Sequence, residues 1–435
     1  MKVLLLGSGG REHALALKLT SSGGVDLYAS PGSDAISEVG VSLPFGAEDV
    51  GPLCEWVSAN RPDLVVVGPE APLVRGVADE ISRHGVPVFG HPAATAKLEG
   101  SKSFAKDFMA RHGVPCAFSK TVTDYGEGAA FIADWSHGLP IVLKADGLAA
   151  GKGVVLAQTK EEALGTLKAF LGGQFGDASR TVVLEEALFG MELSQHVLVD
   201  VTGEHASFCM LPACQDHKRI FENDLGPNTG GMGAFAPIPF MRKEDIARLQ
   251  RELVEPTIAG MQKDGLEGCG VLFLGVIWTK DGSKLLEYNV RFGDPETQVL
   301  MQLLDEDLAK LLHSVATHRL ATREPKTLPG TAICVVLAAA GYPDSPQKGA
   351  GIEVKSPCCS LIHAGTTKIG GGWKVNGGRV MNLVTRAEDL EAARKMAIYD
   401  LDQRQVGWSG MQVRRDIGLR ALNHAKAGRT VSDPW

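Results

Sequence analysis

The apolar run Val3-Leu4-Leu5-Leu6 is cut off by Gly7-Ser8-Gly9-Gly10, and a helical pattern then continues through Leu19. Strand, glycine turn and helix, repeated with Val25 to Ala29 and Asp63 to Val67 as further strands, specify a doubly wound parallel sheet over roughly the first hundred residues. Ligands on such sheets meet the carboxyl ends of the strands, where Gly7 to Arg11, Pro31-Gly32 and Gly68-Pro69-Glu70 fall. Glycine is also the one outlier in composition, at 52 of 435 residues. That is about 12% against an average near 7%. With neither a Gly-X-Y period nor a Pro/Ser/Gln bias, the surplus excludes collagen and low-complexity linkers and assigns the glycines to tight loops.

A net charge of −7 without a basic block excludes nucleic acid and anionic membranes as the main partner. Charged small molecules remain. The longest apolar run, Ala332 to Ala340, is too short to span a bilayer and reads as a buried strand. Val3 to Leu6 is too short for a signal peptide, so a cytoplasmic location is expected. The eight cysteines include no CxxC pair, which points to buried, reduced thiols rather than a zinc site or a disulfide scaffold.

Further along, a helix from Ser101 to Arg111 is followed by short strands around a glycine loop between Thr121 and about Gly190, the pattern of a small inserted subdomain. A polar, glycine-rich loop runs from Asp216 to Gly233, with helices near 243–264. Val271 to Trp278 and Lys284 to Tyr288 form a hairpin through Asp281-Gly282. A polar stretch with Thr322, Pro325, Thr327 and Pro329 marks the next boundary; Ala332 to Leu337 and a helix from Ala387 to Tyr399 follow. The expected division is 1–101, 102–327 with an insertion at 121–191, and 328–435.

Four segments carry chemistry. The first glycine turn matches a dinucleotide fingerprint only in part, because Glu12 holds the third glycine position and Ala29 and Ser30 stand where a ribose-binding acid is expected. A phosphate monoester beside Arg11 suits it better than NAD; a structural turn with a solvated Arg11 is the alternative. The second segment, Lys144 to Gly153, lacks the Ser/Thr of a P-loop and runs into a strand, as a strand–loop–strand flap over triphosphate would. In the third, Glu287, Asn289 and Arg291 fall on one face if the strand continues, giving hard oxygen ligands for Mg²⁺ and a cation for a transferring phosphoryl group. The fourth joins Gln215-Asp216-His217-Lys218-Arg219 to Gly226-Pro227-Asn228-Thr229-Gly230-Gly231-Met232-Gly233. There His217 reads as a binding or packing residue rather than a base, since no nucleophile partners it.

Together these segments resemble one family, the phosphoribosylamine–glycine ligases of the ATP-grasp superfamily. The resemblance is carried by Gly7 to Ala14, Gly68 to Leu73, Lys144 to Gly153, Gln215 to Arg219, Gly226 to Ala234 and Arg291 to Gln298, and covers essentially the whole chain. It implies an α/β ATP-grasp fold with an N-terminal doubly wound domain, a mobile ATP-binding lid and a C-terminal α+β domain. The implied reaction joins glycine to 5-phosphoribosylamine with ATP, through an acyl-phosphate, in purine biosynthesis. By motif position the resemblance gives Lys102, Lys144, Gly151, Lys152 and Gly153 to the ATP phosphates, Glu185, Ala187 and Leu188 to the adenine hinge, and Glu192 to the ribose. Glu287 and Asn289 would hold Mg²⁺ or Mn²⁺. Gly9, Gly10, Arg11, Glu70, Asp216, Lys218, Asn228, Thr229, Gly230, Arg291 and Asp294 would bind the other substrates, with Arg291, Lys144 and Asp216 catalytic. A monomer is expected.

Three positions depart from the family pattern: Met191 in the hinge, Ser33 after Pro31-Gly32, and Gly275 where related enzymes often place a third acidic ligand. The competing readings are another ATP-grasp ligase, a nicotinamide-dependent oxidoreductase argued from the first turn alone, and a non-catalytic nucleotide sensor. Arg11 with its turn disfavours the first, the missing fingerprint positions the second, and the Glu287, Asn289, Arg291 set the third.

Overall fold

The computed structural model describes residues 1–148 and 153–435. Lys2–Gly7 is the central strand of a five-stranded sheet ordered Val41–Ser42, Asp26–Pro31, Lys2–Gly7, Leu64–Val67, Val88–Phe89, and every pairing is parallel. Leu4, Leu5 and Leu6 are all fully buried, because helices cover both faces of such a sheet and leave no polar side. Both two-residue edge strands carry too short a pattern to be read from sequence. The helices Gly10–Ser21 and Glu70–Val74 begin at the carboxyl ends of neighbouring strands and bring the two glycine turns together.

The inserted unit is a four-stranded antiparallel sheet ordered Ser119–Val122, Val182–Glu186, Ile141–Ala145, Val154–Ala157. The helices Tyr125–Ala133 and Lys160–Leu171 accompany it, and Ile132, Leu143, Leu167, Phe170 and Leu184 form a core of its own. The flap joins two adjacent strands of this sheet, as its sequence requires; Gly151 and Lys152 lie outside the described residues.

A second antiparallel sheet is ordered His205–Met210, Met191–Thr202, Gly268–Thr279, Gly282–Asn289. Its last strand ends at Asn289, so Arg291 lies past the strand rather than third in a row on it. The third sheet runs Gln215–Asp216, Gly233–Ala236, Thr331–Ala338, Arg379–Ala387, Ser360–His363, and Gln412–Val413 also pairs with Thr331–Ala338. Hydrogen bonding is therefore continuous across residue 328: the loop after Asp216 is anchored at both ends in a sheet shared with the C-terminal strands. Among the described residues, no helix is long and apolar enough to cross a membrane. Of the eight free cysteines, Cys209, Cys214, Cys334 and Cys359 are buried as expected, whereas Cys358 is exposed and the other three are half-buried.

Buried histidines give the fold a direction of pH sensitivity. Burial lowers His91, His196 and His217 to about 4, about 3 and about 4, and burial with the neighbouring His363 lowers His13 to about 4. The unfolded chain takes up these protons below about pH 6.5 while the folded chain does not. Stability is thus fully present above that pH and is lost as pH falls towards the folded values, by on the order of 1 kcal/mol per histidine per pH unit. Thermal unfolding at about pH 5 should have a clearly lower midpoint than at about pH 7; equal midpoints would contradict the buried, neutral state of these rings.

Candidate functional site

Glu287 and Asn289 are two residues apart near the end of their strand and so share a face. Opposite Glu287 stands Gly275, where a Cβ would come within 3.1 Å of Glu287 Cγ. The glycine that replaces the third acidic ligand therefore makes room for this carboxylate. Burial alone would raise the Glu287 pKa, but Lys218, Lys144, Lys102 and Arg291 outweigh it and hold the carboxyl below its ordinary range. Four cations from four separate chain segments thus converge on one carboxylate.

Each cation is positioned differently. Lys144 Nζ lies 3.0 Å from Glu185 Oε1 and donates to the Leu286 carbonyl at 3.4 Å, beside the strand of Glu287. Lys106 Nζ lies 3.1 Å from the other oxygen of Glu185, which is 2% exposed. Sequence reading missed Lys106, one lysine among several on an amphipathic helix. Lys102, at the start of the helix Lys102–His112, donates to the Gly147 carbonyl at the base of the flap at 3.2 Å. Lys218 Nζ pairs with Glu192 Oε2 at 2.9 Å. Ala187 and Leu188 are half-buried in the connection between Glu186 and Met191, and Gly153 accepts from Ala145 N at 2.8 Å.

Arg291 donates from Nε to Glu70 Oε2 at 3.2 Å and from Nη2 to Asn289 Oδ1 at 3.0 Å, and its Nη2 lies 3.1 Å from Glu99 Oε1. The arginine therefore reaches Asn289 although no strand pattern aligns them. Glu99, the last residue but one of the helix Ala93–Gly100, also accepts from Val290 N at 2.8 Å. This buried carboxyl fixes the backbone between Asn289 and Arg291 and orients the guanidinium, and no local motif marks it. Because outer partners of this kind typically contribute 10- to 100-fold, Glu99→Gln should lower kcat by about that range with substrate KM values little changed. An unaltered kcat would show that Arg291 holds its position without Glu99.

The first glycine turn differs from expectation. Gly9 N donates to Glu12 Oε2 at 2.7 Å, and Arg11 Nε donates to Glu12 Oε1 at 2.6 Å. Gly7 has φ +120°, and a Cβ there would fall 2.6 Å from Glu12 Cγ. The glycines thus close around the chain's own carboxylate. Arg11 is neither solvated nor pointed outwards: it is 8% exposed, and its Nη1 donates to the Phe292 carbonyl at 3.0 Å. Gly10 begins the helix beside Gln298 and Asn382, to whose amide nitrogens a Cβ would come within 2.9 Å.

Asp294 sits between this turn and the glycine-rich loop, accepting from Arg11 N at 3.4 Å and from Gln298 Nε2 at 2.8 Å. Arg379 Nη1 reaches the Asp294 carbonyl at 2.7 Å and the Gly230 carbonyl at 2.6 Å. Burial would raise Asp294, but Arg379 and Arg11 hold it low. Arg379, which follows Asn376-Gly377-Gly378, carries no local sequence signal for this contact. Thr229 Oγ1 donates to the Lys218 carbonyl at 2.8 Å, Gly230 N to Tyr342 Oη at 3.0 Å, and Asn228 ends the exposed strand Leu225–Asn228. Burial and then the neighbouring Glu296 push Asp216 well above the usual carboxylate range. His217 is neutral and accepts from Gly418 N at 3.1 Å, a packing role rather than that of a base.

The donor chemistry of Glu287 and Asn289, an ionised carboxylate beside an amide oxygen, fits a hard divalent cation. Surrounding lysines and arginine suit a polyphosphate. The comparisons agree. Models of the phosphoribosylglycinamide synthetase N domain, ATP-grasp (A) domain and C domain match residues 1–99, 100–297 and 332–420. The chain is 44% identical to a phosphoribosylamine–glycine ligase of Mesorhizobium japonicum, over 98% of this chain and 100% of that one. To its Brucella melitensis counterpart it is 45% identical, over 99% and 100%. The crystal structure of a phosphoribosylamine–glycine ligase from Thermotoga maritima superposes with a TM-score of 0.83 at 34% identity, covering 96% of this chain and 100% of that chain. A biotin carboxylase domain from Hydrogenobacter thermophilus, crystallised with MgADP and bicarbonate, shares the fold at 17% identity and a TM-score of 0.74, covering 100% and 96%. With full-length identity to its relatives and a carboxylate–amide pair ringed by cations at its centre, the chain belongs to the phosphoribosylglycinamide synthetase family of ATP-grasp enzymes.

Proposed function

We propose that this enzyme joins glycine to 5-phosphoribosylamine and yields glycinamide ribonucleotide, ADP and phosphate. The convergence of Lys102, Lys144, Lys218 and Arg291 on Glu287 carries the reading. Such a site gathers the negative charge of a triphosphate and of a carboxylate that would otherwise repel each other. A glycine carboxylate oxygen attacks the γ-phosphorus and ADP leaves. The phosphoribosylamine nitrogen then attacks the acyl carbon, the C–O bond to phosphate breaks, and the nitrogen gives up a proton.

Lys102, Lys144 and the flap residues Gly151, Lys152 and Gly153 hold the phosphates, and Glu185, Ala187, Leu188 and Glu192 hold the nucleoside. Arg291 faces the transferring phosphoryl group, and Glu287 with Asn289 would hold Mg²⁺ or Mn²⁺, which shields phosphate charge when bound. Asp216, a carboxyl whose pKa is raised by burial and then by the neighbouring Glu296, takes the amine proton. The amine substrate lies along Gly9, Gly10, Arg11, Glu70, Lys218, Asn228, Thr229, Gly230 and Asp294. Because Arg11 is turned inwards, the backbone of that turn rather than its guanidinium meets the sugar phosphate. The working division is 1–101, 102–327 with the lid at 121–191, and 328–435, in a cytoplasmic monomer.

Glycine labelled with ¹⁸O in its carboxylate tests the chemistry. Released phosphate should carry one labelled oxygen per turnover. Unlabelled phosphate would contradict an acyl-phosphate route.

A further inference from the structure

Far along the chain from these segments, Cys358 and Cys359 form a bend just before the strand Ser360–His363. Both face Asp400, on the last turn of the helix Leu390–Asp402. Cys358 N donates to Asp400 Oδ1 at 3.0 Å and Cys359 N to Oδ2 at 2.9 Å, so the carboxylate grips the bend by its backbone. Lys355 N donates to the Gln405 carbonyl at 2.8 Å and Ser356 N to Gln405 Oε1 at 3.0 Å, pinning the preceding residues to the same helix end. The two sulfurs and a carboxylate oxygen all lie within 4.8 Å of one another. Asp400 is fully buried, Cys359 is 5% exposed and Cys358 opens to solvent, giving an enclosed base and an entry path.

We propose that Cys358, Cys359 and Asp400 form a binding site for a thiophilic divalent cation of the zinc type, with water completing the coordination. Two thiolates of one tetrahedral ion sit about 3.8 Å apart when metal–sulfur bonds are about 2.3 Å, and a carboxylate oxygen binds at about 2.0–2.2 Å. Cys358, whose Sγ donates to the Met396 carbonyl at 3.6 Å, is the exposed ligand that must change rotamer on binding, while Asp400 holds its backbone. Sulfur ligands select zinc-like ions over Mg²⁺, which the oxygen donors Glu287 and Asn289 suit instead. On binding, two sulfur–metal bonds form and the two thiol protons leave to solvent; no electron is transferred. The spacing rule that dismissed zinc looked for CxxC pairs, whereas these ligands are adjacent in sequence and the third comes from a helix more than forty residues later.

Co²⁺ titration of the reduced, full-length protein tests the site, because only thiolate ligation produces a sulfur-to-cobalt charge-transfer band. The expected result is a band that saturates at one ion per chain, is bleached by Zn²⁺, and is abolished in Cys358→Ser and in Cys359→Ser. Cys358 is exposed, so its serine variant folds and remains decisive even if the buried Cys359 variant does not. Zn²⁺ should also raise the unfolding midpoint of the natural chain but not of Cys358→Ser. Absence of the sulfur band, its survival in Cys358→Ser, or its persistence against Zn²⁺ would overturn the proposal.

Discussion

Arg291→Ala is expected to lower kcat by at least about 10²- to 10³-fold, the usual loss when one charge-stabilising donor is removed from a transition state. The protein should stay folded. Arg291 faces Glu70, Glu99 and Asn289, and its loss leaves two carboxyls without their cation. Glu99 is already pushed above the ordinary range by burial, then drawn back chiefly by Arg291. Without the arginine it takes a proton and becomes neutral, which limits the structural cost. Glu287→Gln should be similarly severe for a different reason: it removes the charge that balances four surrounding cations, together with a carboxylate oxygen of the proposed metal pair. Steady-state kinetics with circular dichroism on the same samples separate the two effects. Near-normal turnover in either variant would refute its assigned role; a lost fold in Arg291→Ala would show the arginine to be structural.

Stability should respond most to Glu185. Its two oxygens pair with Lys106 and Lys144 at 3.1 and 3.0 Å, and all three side chains are nearly solvent-free. Removing one member of a buried ionic cluster leaves uncompensated charge and typically costs about 3–5 kcal/mol. Here Glu185→Ala leaves two ammonium groups, so the unfolding free energy obtained from urea denaturation should fall by that amount. A change below about 1 kcal/mol would mean that water or another carboxylate already serves these lysines. Since Lys144 also borders Glu287, the variant should weaken ATP binding beyond its effect on stability.

The parts legible in sequence were those with a local pattern. Leu4 to Leu6 and Val65 to Val67 are continuous apolar runs ending in glycine turns, and they became central parallel strands. Met191–Thr202 went unread as a strand although it is twelve residues long. It buries Ser194, Gln195, His196 and Asp200 among apolar neighbours, so neither alternation nor a pure apolar run marks it. Glu12 looked like a defect in a glycine fingerprint; the structure shows it as what the glycines enclose. Glu99 and Arg379 were invisible for another reason: their meaning lies in Arg291 and Asp294, which only the tertiary fold brings near. Residue type and spacing singled out Glu287 and Asn289 as the proposed metal pair, and long-range packing supplied the groups around them.

ADP release in the complete mixture, and with each substrate omitted in turn, tests the central claim most directly. Steady ADP formation should require glycine and phosphoribosylamine together with ATP, one ADP appearing for each glycinamide ribonucleotide. Full ADP formation without glycine, or a rate independent of phosphoribosylamine, would contradict the account.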